Sequence, residues 1–318
     1  MRSARPSLAL IVPATNAPPT LERCLEPLRR GEAELIVATD PPGGSPAAAR
    51  NEGAGRASAE VLVFVDADVV VHADAIDRLR DAFAADPTLT AVFGAYDDRP
   101  PASGTVSRFR NLLHHHVHSS SPGPAQTFWA GIGAVRRDAF LDAGGFDARR
   151  FRTAAVEDID LGRRLRARGG RIVLDPAIRG THLKRWSLAE MVRTDLVRRA
   201  IPWTRIQLEE RELSSELNVG ARHRLATVLA LGAALAAAGG RARLAGGAAA
   251  GTVALDLPFM RLLARREGLG GVVLGTPLLL VHRLVGAVGF GLGALAHAGA
   301  GFPRSRAGEP GETAVDGA

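Results

Sequence analysis

Cysteine is nearly missing from this 318-residue chain, where Cys24 stands alone. No intrachain disulfide can form and no thiolate cluster can bind zinc, which fits a reducing compartment. The chain is basic, with a formal net charge of +7, yet it lacks any helix-turn-helix, zinc-finger or ribonucleoprotein signature. Nucleic acid is therefore not an expected partner, and a membrane surface or a phosphorylated ligand suits the charge better. A secretory leader is not expected either. Arg2 and Arg5 precede the apolar Leu8–Val12, but that run is short and Pro13 stops it, so it is expected to be a first buried strand. Finally, Pro13–Pro19 contains no glycine-rich, Lys- or Arg-bearing phosphate loop, which counts against a nucleotidyltransferase built on a similar sheet.

What is present begins with alternation. Apolar stretches of strand length at Leu8–Val12, Glu34–Ala38 and Val61–Val65 are separated by helical patterns around Leu21–Arg29 and Ala47–Ala57. This spacing predicts βαβ units in an α/β fold with a mostly parallel sheet, whose near-continuous apolar strands are buried on both faces. Ligands of such sheets collect beyond the carboxyl ends of the strands. Here those ends are Pro13–Asn16, Thr39-Asp40 and Asp66–Asp68.

The sharpest chemical feature is Asp66-Ala67-Asp68 at the end of the third run. Read as a continuing strand, it would put residues i and i+2 on one face, where two carboxylates can share a hard cation such as Mg²⁺ or Mn²⁺ carrying a diphosphate. The plain alternative is a solvated strand end, since the triplet is common.

Taken in order, Ile11–Asn16, Thr39-Asp40, Ala49-Arg50-Asn51-Glu52-Gly53, Phe64–Asp68, Phe128–Arg137, Gly144–Asp147 and Glu157-Asp158 resemble the family 2 glycosyltransferases. These are inverting enzymes with the GT-A fold, and the resemblance runs from Leu8 to about Trp203. It implies a UDP- or GDP-linked sugar donor and a metal-dependent transfer. By resemblance, Asp40 would hydrogen-bond the donor base, and Pro13 and Thr15 would flank the nucleoside. The family often has two acidic residues where this chain has Thr39-Asp40. Arg50 and Asp66 would serve the donor, with Asp66, Asp68 and His182 as metal ligands. Asp158 would be the general base, with Glu157 second in line, although acidic residues in a first helical turn also suit the helix dipole. Arg199 and Trp203, beside Arg198, loosely resemble the Gln-x-x-Arg-Trp element of processive relatives. The spacing differs and the Gln is absent, so a polymerase is disfavoured, but the pair could still close over the diphosphate or meet the membrane. Trp129 could stack on a sugar or pack in the core. The glycines around it permit close approach of backbone to a ligand. His114 and His118 share a helix face at i, i+4; lacking a nearby carboxylate, they suit a polar cleft lining or plain surface better than a metal site.

From Leu225 the composition changes. Leu225–Gly240, Leu244–Ala264 and Leu269–Ala296 are apolar segments near bilayer-spanning length, interrupted by Asp256, His282 and Arg283. The expected organisation is a catalytic domain over 1–220, membrane-associated hydrophobic helices over 221–302 and a disordered tail over 303–318. The cell membrane is the expected location, with the catalytic domain facing the cytoplasm and a lipid or polyprenyl acceptor. Insertion is weighed against buried or interfacial helices. A catalytically silent membrane scaffold of the same fold is the reading from another class, and the intact Asp66, Asp68 and Asp158 oppose it.

Overall fold

The computed structural model describes residues 5–39, 44–212, 217 and 219–299. Asp40 and the tail 303–318, for which a base-binding role and disorder are expected, lie outside these residues.

Eight strands form one sheet: β1 (Leu8–Pro13), β2 (Glu34–Ala38), β3 (Val61–Val65), β4 (Val69–Val71), β5 (Leu89–Tyr96), β6 (Gly123–Ala125), β7 (Ile132–Arg136) and β8 (Arg171–His182). Their order is β2-β1-β3-β7-β5-β8-β4, with β6 paired to β8. The first three are mutually parallel, as the alternation predicts, and β5 is parallel to β8. Between these sets, β7 runs antiparallel to both β3 and β5. The helices over this region are α1 (Leu21–Leu28), α2 (Pro46–Arg56), α3 (Ala75–Ala85), α4 (Thr105–Ser119), α5 (Arg137–Asp142) and α6 (Glu157–Ala167).

Strand alternation divides the sheet's side chains between two cores. Ile11, Leu62 and Phe64 pack with Ala54 of α2, Phe140 of α5 and Leu161 of α6, while Leu10, Val12 and Val63 pack with Cys24 of α1 and Leu79 of α3 on the other face. Both faces are covered, which explains why the strands carry almost no polar residue.

The direction of β7 decides where the site forms. Ile132 at its start pairs with Val65 at the end of β3, so the preceding Trp129–Gly131 arrives at the carboxyl edge of the parallel strands. The ends of β5 and β8, at Tyr96 and His182, reach the same edge, because both run parallel to β3.

Beyond β8 come α7 (Leu188–Arg193), a π-helical turn over Thr194–Ala200, α8 (Ile201–Glu209), α9 (Ala221–Ala238), α10 (Ala242–Leu255) and α11 (Leu257–Gly299). The segment expected to run continuously from Leu244 to Ala264 is broken at Asp256, which caps α10. Its carboxylate is buried and takes Arg283 Nε at 2.9 Å. Within α11, Gly268 (φ 67°) leaves the helical path, so the expected Leu269–Ala296 segment is a separate helical piece that contains Pro277.

Helix α11 does not stand apart from the sheet and its helices. Phe259, Leu263 and Leu279 of α11 share a core with Phe109 and Leu112 of α4 and with Trp186. Further along α11, a Cβ on Gly289 would collide with Ala200, and one on Gly293 with Thr204, whereas Gly286 faces open space. Gly289→Val should therefore lower stability by about 1–3 kcal/mol through overpacking, seen as a lower thermal midpoint. Gly286→Val, which makes the same change in helix propensity, should not; equal midpoints for the two variants would mean that α11 is not seated on the π turn.

Candidate active site

Asp66-Ala67-Asp68 does not continue β3. It forms the tight turn into β4, closed by Val69 N–H donating to Asp66 C=O at 2.9 Å. Strand alternation is thus not what orients the two carboxylates; each is held by a different partner.

Asp66 is held by Arg50. From α2, which starts at the Ser45 cap with Ser45 Oγ accepting from Ala48 N–H, Arg50 extends beneath the strand ends. Its Nη2 donates to Asp66 Oδ1 at 2.6 Å and its Nη1 to Glu157 Oε1 at 2.9 Å. The guanidinium also lies 5.4 Å from the centroid of the Phe146 ring. Arg50 is only 5% exposed, so it braces Asp66 from behind and does not present its charge to the donor, as its sequence position suggested. Its neighbour Asn51 accepts from Phe146 N–H at 2.9 Å and donates to Phe146 C=O at 2.7 Å, latching the Gly144–Phe146 turn. Gly145 (φ 65°) has no room for a Cβ beside Asn51 Oδ1.

Glu157 is equally committed. Its second oxygen accepts from Ala155 N–H at 2.7 Å, and the residue is buried, so it cannot serve as the reserve base. Asp158, next in α6, is different. It is half-buried and accepts from Ile159 N–H at 2.8 Å and from Ala130 N–H at 3.3 Å. Burial pushes its carboxyl up to about 7, with the Glu157 charge adding and Arg50 opposing. A carboxyl poised there can take a proton near neutral pH.

Asp68 faces His182. Asn111 Nδ2 donates to Lys184 C=O at 3.0 Å and Asn111 Oδ1 accepts from Trp186 Nε1–H at 3.3 Å, which sets the amide's orientation. His182 Nδ1, 2.7 Å from the same oxygen, must then donate. The Nε2 lone pair is left pointing at Asp68 Oδ2, 3.4 Å away. Two acceptors facing each other call for a cation or proton between them, and a ring oriented through its other nitrogen is how metal-ligating histidines are set. Burial pulls the Asp68 carboxyl upward and the Lys184 charge pulls it down. Burial likewise raises Asp66, with Arg50 opposing and Asp68 adding to the rise.

Among the described residues no three His, Cys, Asp or Glu side chains converge as a preformed metal cage. Of the expected trio of Asp66, Asp68 and His182, Asp66 turns Oδ1 to Arg50 and leaves its side chain 29% exposed, while Asp68 and His182 face each other. A divalent ion that takes most of its ligands from diphosphate and water fits two protein donors.

The rest of the edge is aromatic. Tyr96 stacks on His182 at 4.2 Å and meets Trp129 edge-on at 4.7 Å; His118 packs on Trp129 at 4.6 Å and on His114 at 5.5 Å. The two histidines thus belong to this aromatic cluster, His118 buried and His114 half-buried. Gly131 and Gly133 are required by Trp129 and Phe128, with which any Cβ would collide, and not by a ligand. Pro13 is buried at the end of β1 and Thr15 is half-buried beyond it, followed by Asn16 and Ala17 at φ 61° and 42°. Consecutive non-glycine residues in this left-handed region mark a strained turn at the site's edge.

Arg199 and Trp203 are not brought to the carboxylates. Arg199 Nη1 lies 3.9 Å from Asp195, and Trp203 packs with Phe151, Val156 and Ile206. Asp195 itself is buried between Arg110 Nη2 at 2.8 Å and His282 Nδ1 at 2.9 Å. Sequence reasoning singled out none of Tyr96, Asn111 or the Arg110–Asp195 pair; no local pattern flags them, since each acquires its role from a contact distant in sequence.

A mixed sheet with this crossover order and a carboxylate turn at its carboxyl edge defines the GT-A class. Residues 42–143 match the family described as glycosyl transferase family 2. It is similar in fold to the mannosyltransferase PcManGT from Pyrobaculum calidifontis, solved with GDP-Man and Mn2+: 17% identity, TM-score 0.55, 91% of this chain and 88% of that one. It is similar more loosely to GalNAc-T7 solved with UDP, GalNAc and Mn2+, at 14% identity and TM-score 0.45 over 60% of this chain and 47% of that one, a likeness on which no argument rests. A search of curated proteins finds no match.

Arg50→Met leaves Glu157 buried with an uncompensated charge, so it should cost about 3–5 kcal/mol at neutral pH. Urea unfolding measures this; a loss below about 0.5 kcal/mol would mean that the bridge is not the brace described.

Proposed function

We propose that the protein is an inverting glycosyltransferase that moves a sugar from a nucleoside diphosphate donor to an acceptor at a membrane surface. The observation that carries this reading is the opposition across one edge of a half-buried carboxyl poised near neutral pH, Asp158, and the Asp68–His182 acceptor pair. The first suits proton abstraction and the second suits a cation beside the leaving group.

In the proposed reaction the acceptor hydroxyl oxygen attacks the anomeric carbon from the face opposite the diphosphate. Its proton passes to Asp158, the new C–O bond forms, and the electron pair of the broken C–O bond leaves with the diphosphate. Asp68 and His182 would hold Mg²⁺ or Mn²⁺, which when bound neutralises charge developing on the departing phosphates. Arg50 keeps Asp66 and α6 in register, Asn111 keeps His182 in one tautomer, and Trp129 with Tyr96 walls the cleft against water. The Mn2+ and GDP-Man in the similar mannosyltransferase structure support the donor class. Asp40 remains the proposed base-reading residue, with Pro13 and Thr15 beside it.

Release of nucleoside diphosphate from a panel of UDP- and GDP-sugars, measured with Mn²⁺ or Mg²⁺, tests the reading. Wild type should turn over at least one donor and Asp68→Asn should lose about 10²-fold or more. Failure with every donor sinks the proposal. Because the base works ionised, the rate should climb as pH rises through about 7 and level off above it, and Asp158→Asn should abolish that rise.

The membrane part rests on exposed apolar side chains. Val228 and Leu235 of α9, and Leu269, Val273 and Leu295 of α11, stand open to solvent, and large exposed apolar patches mark protein or membrane contacts. Among the described residues one helix, Leu257–Gly299, is long and apolar enough to cross a bilayer. Combined Val228→Glu, Leu235→Glu and Leu269→Glu should move the protein off sedimenting lipid vesicles with donor binding unchanged. Retention on the vesicles would remove the membrane from the proposal.

A further inference from the structure

The transferase reading leaves a charge unaccounted for. A departing nucleoside diphosphate needs a positive side chain aimed into the cleft, and the arginine best placed by sequence, Arg50, is buried and spent on Asp66 and Glu157. Arg110, on α4, is buried against Asp195, and Arg199 leans on the same carboxylate.

We propose that Lys184 is the cation that meets the diphosphate, acting directly on the leaving group of the proposed reaction. Its backbone is pinned beside the carboxylate turn: Leu183 N–H donates to Asp68 C=O at 2.8 Å, and Lys184 C=O accepts from Asn111 Nδ2 at 3.0 Å. The ammonium rests over Trp186, with Nζ 4.2 Å from the ring centroid. A half-buried stem on an aromatic face fixes a lysine's direction at low entropic cost while leaving its charge free.

The described residues include no carboxylate paired with Lys184, and the nearby Glu190 is occupied by the Ser187 cap, whose N–H and Oγ–H both donate to Glu190 Oε2 at 2.9 Å. One ammonium at the Asp68 edge, beside an imidazole whose Nε2 faces Asp68, is a half-built diphosphate cradle. Lysine suits it as a point charge that can follow the phosphate as the bond to the sugar lengthens.

The test compares Lys184→Met, which keeps the apolar stem on Trp186, with Lys184→Arg on the full chain. Calorimetric titration with UDP, GDP and the matching monophosphates in Mn²⁺ is the readout, beside turnover of the donor that wild type accepts. Lys184→Met should bind the diphosphate about 10- to 100-fold more weakly, the loss of one charge-assisted contact, and bind the monophosphate within about twofold of wild type; kcat should fall about 10²-fold. Lys184→Arg should recover most of both. Diphosphate binding unchanged in Lys184→Met overturns the assignment, as does an equal loss for mono- and diphosphate, which would mark a structural role. If wild type binds none of the nucleotides, the transferase reading falls and takes the assignment with it.

Discussion

The site depends on one buried guanidinium. Arg50 joins the turn after β3 to the first residue of α6 across a span that neither element closes alone. Bringing a cation and carboxylates out of water is costly, and only close, well-directed pairing offsets it; both Nη groups are so directed. The consequence reaches Asp158. With Glu157 neutralised from below, the helix start tolerates a second acid, and because that acid is half-buried and stands beside the first, its proton is held to about 7. One ion-pair bridge thus both positions the donor side and tunes the proposed base.

The opposite side is organised by an amide. Asn111, on α4, reads the carbonyl of Lys184 with one end and the indole of Trp186 with the other, and through that orientation determines which nitrogen of His182 carries the proton. The two sides are therefore set by different physics, charge compensation on one and hydrogen-bond direction on the other, and they meet at Asp66–Asp68 because a turn of three residues spans the gap.

The apolar C-terminal helices extend this framework. Asp256 and Arg283, which interrupt the apolar pattern, prove to be each other's partners in the interior, and His282 reaches Asp195 on the π turn. A π-helical insertion widens the turn by one residue and often occurs where function needs an offset. Here it sits where Ala200 touches Gly289, so α11 carries both a protein-facing side of glycines and paired charges and an outer side of leucine and valine. That division is what a helix lying along the catalytic unit needs.

Much of this architecture is written locally. The runs at Leu8, Glu34 and Val61 name the parallel strands because burial on two faces leaves no place for polar residues, and the helix start at Glu157-Asp158 is visible as acid gathered where a dipole favours it. Periodicity misplaced one thing about Asp66–Asp68, treating as strand what the Val69 hydrogen bond makes a turn. The roles of Arg50, Glu157 and Lys184 could not be read in advance, since a lone basic or acidic residue in a sequence carries no sign of whether its partner is protein or ligand. Composition and spacing by themselves determined which chemistry the chain could host: carboxylates at strand ends above a doubly covered sheet. Tertiary structure alone decided which charges are spent inside the protein and which remain free for a ligand, because pairing energy depends on distance and burial between residues as far apart as Arg50 and Glu157, and the order of the chain encodes neither.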